Sequence, residues 1–435
     1  MSRRVSPPRP WGRLVRVTST NVLDDLEWRG LIAHSTDRDA LRAALGEGSV
    51  RFYVGFDPTA PSLHMGHLVQ ILTARRLQDA GHTPYALVGG ATGMIGDPKE
   101  AGERIMNAAE TVKDWVERVR GQIEPFLSFE GDNAATMVNN LDWTAPMSAI
   151  DFLRDIGKHF PVNRMLARDV VRTRLEAGIS YTEFSYVLLQ SMDYLNLYRD
   201  RGVTLQFGGS DQWGNLTAGV ELVRRTEAAK VHAIATPLMT KADGTKYGKT
   251  EAGALWLDPE MLSPYAFYQF WLNVEDEKVG ELLRVFTFLS HDEIEDLEAQ
   301  TTEKPFLRAG QKTLAEQVTA LVHGADETER IKAASAALFG GGDLHALGAS
   351  TLAAALREAG TVSVERGTGI VDLLVESGLA RSKGEARRTV TEGGAYLNNE
   401  RVEDVDYVPA ETDLIDGAWL VLRRGKKNLA GVEVR

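Results

Sequence analysis

Between about residues 50 and 240, strand-like runs alternate with helical ones, and three of the strand-like runs end in turns marked by glycine or proline. This pattern suits a mostly parallel sheet with crossover helices, in which ligands sit beyond the carboxyl ends of the strands. Val50 to Phe56 is the first run, followed by Asp57-Pro58-Thr59 and then Pro61. The second, Pro84 to Gly90, leads into Gly90-Ala91-Thr92-Gly93-Met94-Ile95-Gly96-Asp97-Pro98. The third, Thr204 to Gly208, ends in Gly208-Gly209-Ser210-Asp211-Gln212 before a helix. Three motifs at three strand ends point to one cleft.

Behind the first strand, Leu63, Leu68, Ile71, Leu72 and Leu77 keep helical spacing, so a helix is expected from Leu63 to near Gly81. His64 and His67 then project from one face of its first turn. Unpaired N–H groups and the positive end of the helix dipole in that turn attract phosphate. Gly66, without a Cβ, would let an adenine or ribose lie against the backbone. The blander readings are two surface histidines or a metal pair. The chain has no cysteine and the motif no carboxylate, so a metal site is not expected.

Far downstream, Gly244-Thr245-Lys246-Tyr247-Gly248-Lys249-Thr250 imitates a P-loop but is one residue short, because position 243 is Asp. Glu251-Ala252-Gly253 continues as loop, not as an amphipathic helix. The better reading is an arm whose Lys246 and Lys249 close over a triphosphate and neutralise charge as pyrophosphate leaves. A solvated basic loop is the plain alternative.

A chain of 435 residues should hold two or three domains. No apolar run is long enough to cross a bilayer, and the absence of cysteine rules out disulfides, thiolate zinc sites and thiol nucleophiles. A net charge of −12 argues against a general nucleic-acid coat, so any RNA contact must use local basic patches. Residues 1–16 are rich in Arg and Pro and lack the apolar core of a secretory signal. A leader and a disordered arm are open readings, but a misplaced start upstream of Val17 is preferred.

The boundaries expected are a disordered extension over 1–20, the sheet domain over 21–255, a helical domain over 256–345, a linker over 346–367 and a small module over 368–435. In the helical domain, Tyr265, Phe267, Tyr268, Phe270 and Trp271 read as core rather than as stacking platforms. The module begins with a helix from Ile370 to Ser377, with Gly378 as its cap. A second helix, Ser382 to Thr391, follows, then the strand Ala395 to Leu397. Arg381, Lys383, Arg387 and Arg388 lie in and around that second helix, and a final strand runs to Arg423-Arg424-Gly425-Lys426-Lys427. A basic helix beside a basic tail in an acidic protein favours RNA.

His64-Met65-Gly66-His67 and Lys246-Tyr247-Gly248-Lys249-Thr250, in this order, resemble the HIGH and KMSKS signatures of class I aminoacyl-tRNA synthetases. With Tyr53 to Thr59, the GGATGMIGDP run, Tyr186 to Gln190 with Asp193, GGSDQWGN and the S4-like tail, residues 21–435 resemble the bacterial-type tyrosyl-tRNA synthetases. The resemblance implies an α/β fold: a Rossmann-like parallel-sheet catalytic domain, an α-helical anticodon-binding domain and a small α+β S4-like RNA-binding domain. It implies that L-tyrosine and ATP give tyrosyl-adenylate, and that the tyrosyl group then passes to the 3′-terminal ribose of tRNA(Tyr). ATP would enter as a substrate with Mg2+, without zinc or a prosthetic group. A cytoplasmic homodimer, with neither membrane nor DNA as a partner, is the further implication.

Roles follow by the same resemblance. Tyr53 and Asp193 would read the substrate phenol, which is chemically apt because carboxylates accept from O–H groups. Phenylalanine would leave both unpaired, a larger cost than one lost apolar contact. Asp97, Tyr186 and Gln190 would bind the ammonium group. Tyr186, Gln190 and Asp193 fall at i, i+4 and i+7, so one helix face would serve both ends of the amino acid. Gln212 would lie near the reacting carboxylate and Asp211 on the ribose. Gly55 and Gly209 would allow close ribose packing, and Asp57 and Thr250 would complete the nucleotide site. Thr59 and His64 would stabilise the pentacoordinate phosphate, His67 the nucleotide, and Arg104 the phosphates. Two departures stand out. Val54 replaces a polar or thiol residue of many relatives, and the loop from Lys99 to Arg104 is short and poor in lysine. Three other readings compete: a non-catalytic RNA-binding relative, an HxGH adenylyltransferase, and a tryptophanyl synthetase.

Overall fold

A computed structural model describes residues 21–98, 102, 106–240, 247, 249–250, 253–338, 344, 347, 349–425 and 428–435; at 249, 250, 253, 349 and 350 the backbone alone is described. The expected extension over 1–20, Lys99, Arg104, Lys246, Lys426 and Lys427 lie outside the described residues. The chain divides into two compact units. One holds the described residues up to Met261 together with Glu275–Gly310, and the other holds Leu262–Val274 and the described residues from Gln311 onward.

The first unit is built on a six-stranded sheet. Its strands are β1 (His34–Ser35), β2 (Arg51–Phe56), β3 (Thr83–Val88), β4 (Thr136–Asn139), β5 (Leu205–Gly209) and β6 (His232–Thr236), in the order β1-β6-β5-β2-β3-β4. All pairs are parallel except β1 with β6. Phe52, Tyr53, Val54 and Phe56 of β2 are all buried, the near-continuous apolar run of a strand covered on both faces. From β2 the chain adds β3 and β4 on one side and β5 and β6 on the other. The order therefore reverses between β2 and β5, which opens a crevice at their carboxyl ends.

Three helices bring side chains to that crevice: Met65–Asp79, Tyr181–Arg201 and Trp213–Glu227. Tyr181–Arg201 starts at Ser180, whose hydroxyl accepts from the Glu183 N–H, and stops at Gly202 in the left-handed region with φ 65°. Met65–Asp79 begins two residues later than expected, because His64 takes the extended N-cap conformation. At the end of the lysine segment, β7 (Lys249–Thr250) pairs antiparallel with β8 (Gly253–Ala254). The chain beyond it pairs with the approach to the histidine helix, Met65 N–H donating to Leu255 O at 3.0 Å and Leu257 N–H to Leu63 O at 2.9 Å. The two motifs are thus tied through backbone.

In the second unit, helix Pro264–Leu272 packs with Ala325–Leu338 and Ala349–Ala359. Tyr265, Phe267, Tyr268 and Trp271 are buried there, as core aromatics should be. A five-stranded sheet follows in the order β11-β10-β12-β13-β9, with β9 (Thr361–Val364), β10 (Ala395–Leu397), β11 (Glu400–Arg401), β12 (Trp419–Arg424) and β13 (Asn428–Val434). Helices Ile370–Glu376 and Lys383–Thr391 complete this small α+β domain, and Gly378 at φ +73° ends the first of them.

Two expected boundaries differ from this division. The stretch 346–367 contains helix Ala349–Ala359 and strand β9, which pairs in parallel with β13, so it is part of the folded unit. Helices Asp276–Phe286 and His291–Glu303 group with the sheet unit. The cause is local chemistry: the guanidinium of Arg29 donates to Arg284 O at 3.0 Å, and that of Arg76 to Thr287 O at 2.5 Å. Carbonyls at the end of a helix accept such bonds readily, and helical periodicity carries no sign of them.

Candidate active site

A cavity of about 570 Å³ opens at the crevice. Its walls include Tyr53, Gly55, Asp57, Thr59, His64, His67, Asp97, Tyr186, Gln190, Asp193, Gly209, Asp211 and Gln212. Every expected small-molecule site residue whose side chain is described, each of them in the sheet unit, lines this one space. The lysine segment contributes Tyr247 to the wall, and β8 contributes Ala254. The side chains of Lys249 and Thr250 are outside the description, as are Lys246 and Arg104 entirely.

At the buried end, the Tyr53 hydroxyl has no hydrogen-bond partner although the residue is 1% exposed. Burial and the nearby Asp193 charge push its pKa well above the usual value. The Asp193 carboxyl accepts from Trp143 Nε1 at 2.8 Å and from Asn140 Nδ2 at 3.1 Å. Burial nonetheless pushes its pKa up to about 8. Asn140 also donates to Thr92 Oγ1 at 2.9 Å, and its Oδ1 accepts from the Ala91 N–H at 2.7 Å. A tyrosine hydroxyl left without a partner beside an oriented carboxyl is a site for a group that both donates and accepts, as a phenol does.

Toward the middle of the cavity, Tyr186 donates to Asp57 Oδ2 at 2.6 Å, and Thr92 donates to Asp57 Oδ1 at 2.6 Å. One face of helix Tyr181–Arg201 does present Tyr186, Gln190 and Asp193 together, and Gln190 Oε1 is buried without a partner. Asp97 accepts from Gln212 Nε2 at 2.7 Å and from Asn215 Nδ2 at 3.3 Å. Asn215 also donates to Gln212 Oε1 at 2.9 Å, and Arg168 donates to Asn215 Oδ1.

The histidines differ from expectation. His64 Nδ1 accepts the Gly66 N–H at 3.1 Å, and His67 Nδ1 accepts the His64 N–H at 3.2 Å. The rings stack with centroids 4.0 Å apart. The His67 N–H donates to His64 O, and the Met65 N–H to Leu255 O, so the first three helical amides are all engaged. The expectation of bare first-turn amides for phosphate is therefore corrected. With Nδ1 accepting, a neutral ring carries its proton on Nε2, and burial and the His64 charge hold His67 well below its usual pKa. The rings, rather than the amides, become the donors. Gly66 also has a second reason to be glycine: a Cβ would stand 3.0 Å from the His64 ring.

Trp143, Asn140, Arg168, Asn215 and Thr92 were not singled out from the sequence. Asn215 and Thr92 lie inside quoted motifs, so chain position gave a signal for them. Trp143 and Asn140 lie some fifty residues before Asp193 and carry no motif. Among the described residues, no group of three or more His, Asp or Glu side chains is placed to hold a metal ion. Nor is any helix among them long and apolar enough to cross a membrane.

A largely parallel sheet with an HxGH helix at its switch point and a cavity holding paired polar groups defines a class, and residues 46–340 match the family described as tRNA synthetases class I (W and Y). Residues 352–432 match the tyrosine–tRNA ligase SYY-like C-terminal domain. The tyrosine–tRNA ligase of Streptomyces coelicolor is 65% identical over 418 residues, covering 95% of this chain and 99% of that one. That of Mycobacterium tuberculosis is 58% identical over 417 residues, covering 95% and 98%. A C-terminally truncated mitochondrial tyrosyl-tRNA synthetase of Aspergillus nidulans aligns with TM-score 0.65 and 30% identity, over 72% of this chain and 92% of that one. The chain belongs to the tyrosine–tRNA ligase family.

Proposed function

We propose that this protein activates L-tyrosine with ATP, giving tyrosyl-adenylate and pyrophosphate, and then transfers the tyrosyl group to the 3′-terminal ribose of tRNA(Tyr). The observation that carries this reading is the unpartnered Tyr53 hydroxyl in a cavity that also holds Asp193, fixed by Trp143 and Asn140. A phenol there satisfies Tyr53, whereas a phenyl ring leaves it orphaned. Toward the middle of the cavity, Asp97 and the carbonyl oxygen of Gln190 suit an ammonium group.

With the amino acid held at both ends, its carboxylate attacks the α-phosphate in line and pyrophosphate leaves. No protein nucleophile is needed, so the acceleration comes from positioning and from stabilising developing charge. Nε2 of His64 and His67, with Thr59, would donate to the reacting phosphate, and Gly55, Asp57, Gly209 and Asp211 would seat the nucleoside. Lys246, Lys249, Thr250 and Arg104 would serve the leaving pyrophosphate, and Mg2+ would arrive with ATP as part of the substrate. In the second step a ribose hydroxyl of the tRNA attacks the adenylate.

For the tRNA, Arg387 and Arg388 are exposed on helix Lys383–Thr391, while Lys383 is held by Asp372 at 2.6 Å. We assign Arg381, Lys383, Arg387 and Arg388 to RNA contact. We further assign the protein to the cytoplasm as a homodimer. The deciding experiment is tyrosine-dependent ATP–pyrophosphate exchange without tRNA, with phenylalanine and tryptophan as controls. Exchange with tyrosine alone is expected. No exchange with any of the three would overturn the assignment.

A further inference from the structure

Behind the ammonium-binding residues lies a polar chain whose outer members, Arg168 and Asn215, the reaction itself does not use. Arg168 sits between helices Val162–Leu166 and Asp169–Arg174, and its guanidinium reaches Asn215 on the first turn of helix Trp213–Glu227. Asn215 is 2% exposed and therefore cannot exchange its partners for water. Gly214 makes room for the contact, since a Cβ there would stand 3.2 Å from Arg168 Nη2.

The two ends of this chain fix the direction of everything between them. A guanidinium only donates, and an ionised carboxylate only accepts. Arg168 therefore requires Asn215 to present Oδ1, which turns Nδ2 toward Gln212 Oε1 at 2.9 Å and Asp97 Oδ1 at 3.3 Å. Gln212, accepting at Oε1, must then offer Nε2 to Asp97 Oδ2 at 2.7 Å. Without the guanidinium, Asn215 Oδ1 would lose its donor while buried, and Asp97 alone would be left to hold the two amides in place.

We propose that Arg168 is a positioning residue for amino-acid binding, acting through Asn215 to hold Gln212 and Asp97 in the orientation that receives the substrate ammonium group. This rests on the reading of Asp97 as an ammonium-binding residue of a tyrosine-activating enzyme. Arg168 itself does not line the cavity, so it acts at one remove.

The test uses the full-length protein and the exchange reaction. Arg168→Met keeps the bulk and removes the donor. It should raise the KM for tyrosine about tenfold, the worth of a charge-assisted hydrogen bond, with a smaller change in kcat. Arg168→Lys should recover part of the loss. The informative ligand is 4-ethylphenol, which is tyrosine without its amino and carboxylate groups. Its inhibition constant should be the same in wild type and Arg168→Met, because nothing on it meets Asp97 or Gln212. Gly214→Ala, which presses on Arg168 without removing it, should move the tyrosine KM the same way and spare the analogue. Equal weakening of tyrosine and the analogue would overturn the proposal in favour of general scaffolding. An unchanged tyrosine KM with loss confined to tRNA charging would overturn it in favour of RNA contact. If the wild type fails to exchange, the reading beneath it fails, a result distinct from either.

Discussion

At the scale of single residues, the buried end of the cavity joins stability to specificity. The Tyr53 hydroxyl is desolvated and unpartnered. Tyr53→Phe should therefore leave the Tm unchanged or slightly higher. It should also raise the tyrosine KM about three- to tenfold and narrow the preference over phenylalanine, the usual worth of one neutral hydrogen bond. Thermal melts and exchange kinetics with both amino acids check this, and a large drop in Tm would contradict it. Asp193 gives a pH dependence of defined sign. Burial raises its pKa from 3.8 to about 8, so the folded ligand-free protein keeps a proton that the unfolded chain releases. The resulting stabilisation is complete below pH 3.8 and is lost as pH rises through about 8. The Tm of wild type relative to Asp193→Asn should accordingly fall between about pH 5 and about pH 9. A difference constant across that range would place the Asp193 pKa at its ordinary value.

At the scale of elements, two glycines at strand ends separate folding from binding. A Cβ on Gly89, just after β3, would overlap Asp57 Oδ1 and Thr92 Oγ1, the pair that positions the acceptor of Tyr186. A Cβ on Gly55 in β2 would meet only Leu87 Cδ2 at 3.8 Å, an ordinary contact. Gly89→Ala should thus cost about 1–3 kcal/mol of stability together with activity. Gly55→Ala should leave the Tm unchanged and raise the KM for ATP. Denaturation and ATP kinetics on both variants distinguish these outcomes; equal loss of stability would remove the nucleotide role of Gly55. The same elements show what a sequence can and cannot reveal. Strands Arg51–Phe56 and Leu205–Gly209 and helix Met65–Asp79 were legible because periodicity and turn residues are local. The state of the first-turn amides was not, because Leu255, which accepts one of them, is about 190 residues away. Trp143, Asn140 and Arg168 were hidden for the same reason: each acts on a partner that only the fold brings near.

At the scale of the molecule, the stretch from Ile150 to Tyr181 leaves several apolar side chains of the sheet unit uncovered. Ile150, Leu153, Val162 and Tyr181 are 70%, 51%, 61% and 66% exposed. Single exposed apolar residues need no explanation, but several of them within some thirty residues do. Fully burying side chains of this size is worth about 1.5–3 kcal/mol each, and a two-fold interface would count every one of them twice. The segment also contains Arg168, so a partner that steadies it would act on the same polar chain that ends at Asp97. Val162→Asp introduces a charge that must be desolvated on both sides of such an interface. It should convert a dimer into monomer at micromolar protein, as read by sedimentation velocity, without lowering the Tm of the monomer. Added tyrosine should shift wild type toward dimer by the linkage that joins assembly to binding. If Val162→Asp and Leu153→Asp both sediment like wild type, these apolar residues are not the dimer contact, and the coupling through Arg168 would end within one subunit.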